Sequence, residues 1–382
     1  MLNITQTNTY REIFQQPKMW IKEYQLISNE LSNIKSFISK NFISNEYEII
    51  LAGAGTSAFI GNTLSFILPQ KGIQCKAAPT TDLITHPKSF FAFDKKIVMV
   101  SFARSGNSPE SLAAVQIAES MCAEVKHIII TCNKDGELAV NANPENTLLL
   151  LLPPETNDLS LAMTSSFTTM LLTCMLIADV NDFEKQLSVI KHMSEDAELA
   201  LQKYESAIKE IAQREFSRAV FLGSGELKGI AEECHLKLQE LTDGKVICMF
   251  DSFLGFRHGP KAVINDETLL IYLFSEDEYV QQYEKDLVEQ INSNNKVVAQ
   301  IAVSQRKIEI PNVNFDLEII LQKNNPYNSA YNYIPYVFIG QLLGFFKSLT
   351  FGLNPDSPSV SGNISRVVEG VKIYNNYEEV NE

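Results

Sequence analysis

Lys96-Ile97-Val98-Met99-Val100-Ser101-Phe102-Ala103-Arg104-Ser105-Gly106-Asn107-Ser108-Pro109-Glu110-Ser111 passes without a break from an apolar, β-branched run into a turn of hydroxyls, glycine and one arginine. The opening run reads as a parallel strand covered on both faces. Ser108-Pro109-Glu110 reads as an N-cap, a proline at the first helical position and an acid in the first turn, ahead of apolar Leu112, Ala113, Val115, Ile117 and Ala118. A turn between a strand's C-terminal end and a helix N-terminus presents unpaired N–H groups and the positive end of the helix dipole, which favour an anion. Ser105 and Ser108 add hydroxyls, Gly106 lets the backbone approach, and Arg104 supplies a charged fork. Hydrogen bonds to a charged group contribute about 1.5–3 kcal/mol each, so a few of them would hold a phosphate. A capped helix alone needs only Ser108 and Pro109 and leaves Arg104, Ser105 and Gly106 unexplained.

Working outward, strands alternate with helices on both sides of this stretch. Tyr47 to Ala52 reads as a strand that turns through Gly53-Ala54-Gly55-Thr56-Ser57 into a helix. Cys75 to Ala78, Val125 to Thr131 and Thr147 to Leu152 read as further strands, and a hydroxyl-rich helix starts near Thr164. Such alternation implies a mainly parallel sheet flanked by helices. After a helical stretch from Phe183 to Ile211 the pattern restarts. Arg218-Ala219-Val220-Phe221-Leu222-Gly223-Ser224-Gly225 repeats the sense of Tyr47 to Gly55, and Thr268 to Phe274 opens into Ser275-Glu276-Asp277-Glu278 as Lys96 to Phe102 opens into the cradle. Lys245 to Asp251, Lys296 to Val303 and Leu317 to Leu321 supply the remaining strands, and Tyr333 to Phe351 reads as a last long helix. The chain therefore divides into a helical lead-in (1–45) expected to pack on the first repeat, a first three-layer α/β/α domain (46–205) and a second (206–382). The second copy carries Glu226 and Glu276-Asp277-Glu278 where the first carries hydroxyls and Arg104, and carboxylates there repel a phosphate. Only the first repeat is expected to hold the anion.

Two stretches of the second repeat carry chemistry. Lys237 and Glu240 lie three apart on one helix and share a face. His258, in Gly255-Phe256-Arg257-His258-Gly259-Pro260-Lys261, sits in a Gly/Pro turn where it could serve as an acid/base near neutral pH. Taken singly, each has an ordinary structural reading, a surface ion pair and a loop histidine. The turn-rich stretch Asn354 to Val367 could cover a site.

At 382 residues with 45% apolar and 20% charged residues the chain is of a size for two soluble domains. A net charge of −14 argues against nucleic acid or an anionic membrane as partner. Six scattered cysteines without a Cys-x-x-Cys pair read as reduced core residues of a cytoplasmic protein, and no secretory leader is visible at the N-terminus. Leu159 to Ala178 is uncharged and long enough to span a bilayer, but its serines and threonines favour a buried helix. No metal-ligand cluster is visible, and neither metal nor cofactor is expected.

In combination, Gly53-Ala54-Gly55-Thr56-Ser57, Ser101 to Ser111, Lys237-Leu238-Gln239-Glu240 and His258-Gly259-Pro260 resemble the double SIS (sugar isomerase) domain proteins. Pro79-Thr80-Thr81-Asp82-Leu83, Met163-Thr164-Ser165-Ser166 and Gly255 to Lys261 look like the AgaS family of galactosamine-6-phosphate deaminase/isomerases, formerly called tagatose-6-phosphate ketose/aldose isomerases. The resemblance implies phosphate binding by Gly55, Thr56, Ser57, Arg104, Ser105 and Ser108, with Thr164 and Ser165 close by. It implies that Glu240 moves a proton between C2 and C1, that Lys237 orients or tunes it, and that His258 opens the sugar ring. It also implies a homodimer or higher homo-oligomer in which His258 serves the neighbour's substrate. A lysine of glucosamine-6-phosphate synthase that can form a Schiff base is matched here by Arg366, which stays protonated and is suited only to stabilising an oxyanion. A further phosphate-turn serine is matched by Ala103. No glutamine-hydrolysing domain is expected ahead of the repeats, so deamination is the expected direction: galactosamine 6-phosphate to tagatose 6-phosphate and ammonia. The alternatives are a plain ketose/aldose phosphosugar isomerase, a glucosamine-6-phosphate deaminase, a non-catalytic sugar-phosphate sensor and a silent structural partner.

Overall fold

In the computed structural model, which describes residues 4–44, 46–294, 296–323, 325–368 and 370–374, both sheets are wholly parallel and share one strand order. The first contains β1 (Glu48–Gly53), β2 (Cys75–Pro79), β3 (Lys96–Ala103), β4 (Glu124–Thr131) and β5 (Thr147–Leu151), ordered β2-β1-β3-β4-β5. The second contains β6 (Arg218–Gly223), β7 (Ile247–Asp251), β8 (Thr268–Leu273), β9 (Ala299–Ser304) and β10 (Leu317–Ile320), ordered β10-β9-β8-β6-β7. Read from the other edge, each sheet runs second-first-third-fourth-fifth strand, so the internal repeat expected from the sequence is present in the topology. In this order the chain reverses direction across the sheet between the first and third strands, and the crevice outside their C-terminal ends is where open α/β sheets bind ligands.

The strands form where apolar β-branched residues run continuously. β3 is buried at every position after Lys96, and β8 at all six. On one face of the first sheet Ile50, Ile97 and Met99 pack with Leu83, Phe91, Ala114 and Ile117. In the second, Val220, Leu270 and Tyr272 pack with Phe253, Leu287 and Ile291. Each of the valine, leucine, isoleucine, methionine and phenylalanine side chains among them contributes about 1.5–3 kcal/mol by leaving water.

Two expectations change. The stretch from Tyr333 is a 3₁₀ helix, Ala330–Val337, before it becomes α-helix over Phe338–Thr350. Pro335 has no N–H to give and crowds the preceding turn, so the tighter helix replaces the α form until the proline is passed. The lead-in, expected on the first repeat, divides. Residues 4–21 cluster with 158–164 and 187–364, whereas 22–157, 165–186 and the described residues from 365 form the other compact unit. Trp20 stacks on Phe338 at 5.9 Å and Gln16 donates to Gln341 at 2.7 Å, both within the second-repeat unit. The uncharged stretch ends in the helix Ser165–Ala178, buried throughout, and no helix among the described residues is long and apolar enough to cross a membrane. All six cysteines are free thiols.

Candidate active site

In the first repeat, β1 and β3 are adjacent with Ala52 beside Ser101, so both candidate turns leave the same end of neighbouring strands. Gly55 precedes the helix Thr56–Gln70 at φ 53°, ψ −128°, a backbone state that L side chains rarely adopt. Gly53 is required for a different reason: a Cβ there would sit 2.5 Å from the backbone of Ser57. The turn carries Thr56 and Ser57, both buried, into a helix start where Ser57 N donates to Ala54 O at 3.1 Å and Ala58 N to Gly55 O at 2.8 Å. At the end of β3, Arg104 is buried and its Nη2 donates to the carbonyl of Arg366. The Ser105 carbonyl accepts from Asn133 Nδ2 at 2.9 Å, and its hydroxyl accepts from Asn107 N at 3.3 Å. Gly106 has φ 69°. Ser108 caps the helix Pro109–Met121, accepting from Ser111 N at 3.4 Å. Its hydroxyl donates to Glu110 Oε2 at 2.8 Å, so this predicted phosphate donor is already engaged by a buried carboxylate.

Thr164 is likewise engaged: its N–H and hydroxyl donate to Asp158 at 2.8 and 3.2 Å. Ser165 is the fully buried first residue of the helix Ser165–Ala178. Arg366 Nη2 donates to Asn157 Oδ1 at 2.8 Å. Two further hydroxyls of the first repeat were not among the predicted donors. Ser101 Oγ on β3 and Thr80 Oγ1 just beyond β2 are buried with no hydrogen-bond partner among the described residues.

The second repeat reproduces this backbone with opposite chemistry. Gly225 has φ 57°, ψ −126°, within a few degrees of Gly55, and a Cβ on Gly223 would collide with Leu227 as one on Gly53 would with Ser57. Carboxyl groups fill the crevice. Glu284 accepts from Ser275 N at 3.0 Å, and burial pushes its pKa up to about 7. Burial also raises Glu226, with Asp277 adding to it, and Glu276, where Arg306 works against the shift. A phosphate would meet repulsion here.

The helix Glu226–Leu241 brings Lys237 and Glu240 together and adds Glu233, which the sequence reading missed. Lys237 Nζ contacts Glu240 Oε1 and lies 3.3 Å from Glu233 Oε1. The i,i+4 spacing of Glu233 and Lys237 was readable, but an exposed pair and a buried one have the same spacing. The Lys237 and Glu233 side chains are 1% and 0% exposed, and Glu240 is 15% exposed. Burial alone would pull the Lys237 ammonium down; Glu233 and Glu240 outweigh it and hold its pKa above the ordinary lysine value. The trio is therefore a held cation between two carboxylates, one of which has an open side. The helix Phe338–Thr350 fixes its position, because Gly340 and Gly344 pack where a Cβ would strike Cys234 and, at 2.7 Å, the carbonyl of Lys237.

His258 lies in the turn after the short helix Phe253–Phe256, its N–H donating to Gly255 O at 3.0 Å, with its side chain exposed. Gly259 beside it has φ 118°. Among the described residues no hydrogen bond or ion pair joins the His258 ring to Lys237 or Glu240.

The SIS domain family model matches residues 42–179. D-galactosamine-6-phosphate deaminase AgaS of Shewanella sp. strain ANA-3 is 36% identical over 371 residues, covering 96% of this chain and 91% of that protein. The chain belongs to the AgaS family. The Escherichia coli D-galactosamine-6-phosphate deaminase AgaS is 36% identical over 97% of this chain and 96% of its own length. The solved structure of tagatose-6-phosphate ketose/aldose isomerase from Escherichia coli superposes with a TM-score of 0.88 at 34% identity, covering 98% of both chains. The AgaS-family chain thus has two tandem SIS-type α/β domains, as its strand orders already indicate.

Proposed function

We propose that this AgaS-family chain is an amino-sugar phosphate deaminase/isomerase that converts galactosamine 6-phosphate and water into tagatose 6-phosphate and ammonia. The observation that carries the reading is the trio on one helix: a buried lysine held charged by two carboxylates, with Glu240 alone of the three partly open to solvent. The repeat at 46–205 takes the phosphate on Gly55, Thr56, Ser57, Arg104 and Ser105. Ser108 and Thr164 join only if Glu110 and Asp158 release their hydroxyls, and Ser165 adds a donor at its helix start. The repeat at 206–382 does the chemistry. His258 opens the ring, exposing the C1 aldehyde. Glu240 removes the C2 proton and delivers it to C1 while a proton from the C2 ammonium passes to O1, which leaves a hydroxymethyl group at C1 and an iminium at C2. Water adds at C2 and ammonia leaves, completing the balance. Lys237 orients Glu240, and Arg366 stabilises oxyanion character. Proton transfer by a positioned side chain contributes about 10²–10⁴-fold in rate.

The names of the relatives support the substrate, and we infer a cytoplasmic homodimer or larger homo-oligomer in which His258 acts on the neighbour's substrate. The decisive assay measures ammonia release from galactosamine 6-phosphate and glucosamine 6-phosphate. The galactosamine epimer should be preferred, and Glu240→Gln should lower kcat by about 10²–10⁴-fold with little change in KM. Full activity in Glu240→Gln would remove the proton-transfer assignment, and tight binding without turnover would make the protein a sensor. Mixing inactive Glu240→Gln and His258→Asn proteins should restore activity if His258 works in trans.

A further inference from the structure

Away from the proposed catalytic groups, one edge of the first sheet is left open. Leu152 N donates to Thr131 O at 3.0 Å, and Asn146 O accepts from His127 N at 2.9 Å. Backbone groups along a strand point alternately to either side, so residues 146, 148, 150 and 152 serve the ladder with β4, and Thr147, Leu149 and Leu151 turn their N–H and C=O groups outward. None of those outward groups has a hydrogen bond among the described residues. The open stretch has defined ends: Glu145 N donates to Asn143 Oδ1 at 3.0 Å on one side, and Pro153 has no N–H on the other. Thr147–Leu151 is uncharged, and Leu151 is 42% exposed. Natural sheets blunt such edges with charge, proline or side-chain cover. The other three edge strands do so: β2 carries Lys76 and ends in Pro79, Gln239 Oε1 takes the Cys248 N–H of β7 at 3.1 Å, and Tyr204 OH takes the Ile320 N–H of β10 at 3.1 Å.

We propose that β5 pairs with the β5 of a second copy of this chain, antiparallel about a two-fold axis at Leu149. In that register Leu149 faces its counterpart and Thr147 faces Leu151 of the copy, so every outward N–H meets an outward C=O. Slipping the pair by two residues sets Thr147 against Pro153 or Leu151 against Glu145, and hydrogen bonds are lost either way. Charge agrees with the centred register, because Glu145 then faces Pro153 and no acid faces another. The open groups are symmetric about Leu149 and closed off at both ends, which suits an identical partner over an unrelated strand. The inference rests on the homo-oligomer reading above and deepens it by naming the surface.

The test follows the full chain and two double variants by sedimentation velocity over a concentration series. Thr147→Glu with Leu151→Glu sets like charges opposite each other in both outer pairs, and should weaken association by about tenfold or more and halve the mass of the assembly. Thr147→Lys with Leu151→Glu changes the same two positions but sets opposite charges there, and should associate within about threefold of wild type. Hydrogen exchange on the wild type gives a reading that needs no variant: the amides of Thr147, Leu149 and Leu151 should exchange slowly in the assembly and fast once dilution splits the pair. A wild-type chain that stays monomeric at the highest concentrations would sink both the surface and the oligomer. Equal association of the two double variants, or fast exchange at Thr147, Leu149 and Leu151 within the wild-type assembly, would sink the surface alone.

Discussion

The crevice between β1 and β3 and the crevice between β6 and β8 are built on nearly the same backbone and have opposite chemistry. Gly55 and Gly225 agree within about 4° in φ, and Gly53 and Gly223 are each held bare by the helix four residues on. At the following position one repeat places Thr56 and the other Glu226. Around the first stand hydroxyls and Arg104; around the second stand Glu226, Glu276 and Glu284. On the proposed reading, only the first of the two copies takes an anion. In the other a carboxylate, Glu284, accepts the Ser275 N–H at the end of β8, an interaction a bound anion could make. The geometry of a turn sets where a ligand can sit, and the side chains on it set the sign of charge it accepts.

The sharpest way to break the contrast is to move the acid. Thr56→Glu should make the first crevice resemble the second and raise KM for the sugar phosphate by about 100-fold or more, since a lost charged hydrogen bond of about 1.5–3 kcal/mol is joined by repulsion. An unchanged KM would place the phosphate elsewhere. Next in size, Gly344→Ala should force the helix Phe338–Thr350 off Lys237, costing about 1–3 kcal/mol as overpacking does; denaturant titration would show the loss, and kcat should fall because Glu240 is displaced with its neighbour.

Glu284→Gln tests the second crevice through pH. With a pKa of about 7 in the folded chain against an ordinary 4.5, the native state binds more protons than the unfolded state between those values, so this group's contribution to stability falls as pH rises from about 4.5 to 7. The variant should lose part of that slope and gain up to about 1–3 kcal/mol over wild type at pH 8 relative to pH 5, read by unfolding at the two pH values. The reverse sign would mean that Glu284 is stabilised as an anion. The smallest effect belongs to Glu226→Thr, which should leave KM within about twofold if the second repeat takes no phosphate; a large rise would end the asymmetry.

Much of this was readable from the residues because it rests on local rules. The run Lys96 to Val100 read as a covered strand and Ser108-Pro109 as a helix start, both of which formed, and the recurrence of Gly-x-Gly at Gly53 and Gly223 marked the repeat. Periodicity failed where a local exception intervened, as at Pro335. It also failed where a helix ran past a unit boundary: in Asn8–Asn29, residues on one continuous apolar face are shared out between two compact units. Neither event changes the spacing of apolar residues, so neither leaves a mark in that pattern.

What the amino-acid order determined by itself is the strand and helix sequence, the duplication, and which turn carries hydroxyls and an arginine where the other carries acids. These depend on side-chain period, on glycine and proline, and on charge counted along a few residues. Only the tertiary structure decided that Lys237 is sealed between Glu233 and Glu240, that Ser108 and Thr164 already give their hydroxyls to Glu110 and Asp158, and that Glu23 is buried with one carboxyl oxygen unpaired among the described residues. Burial and pairing depend on which distant segments arrive, and the strength of a charge inside a protein is set by that arrival.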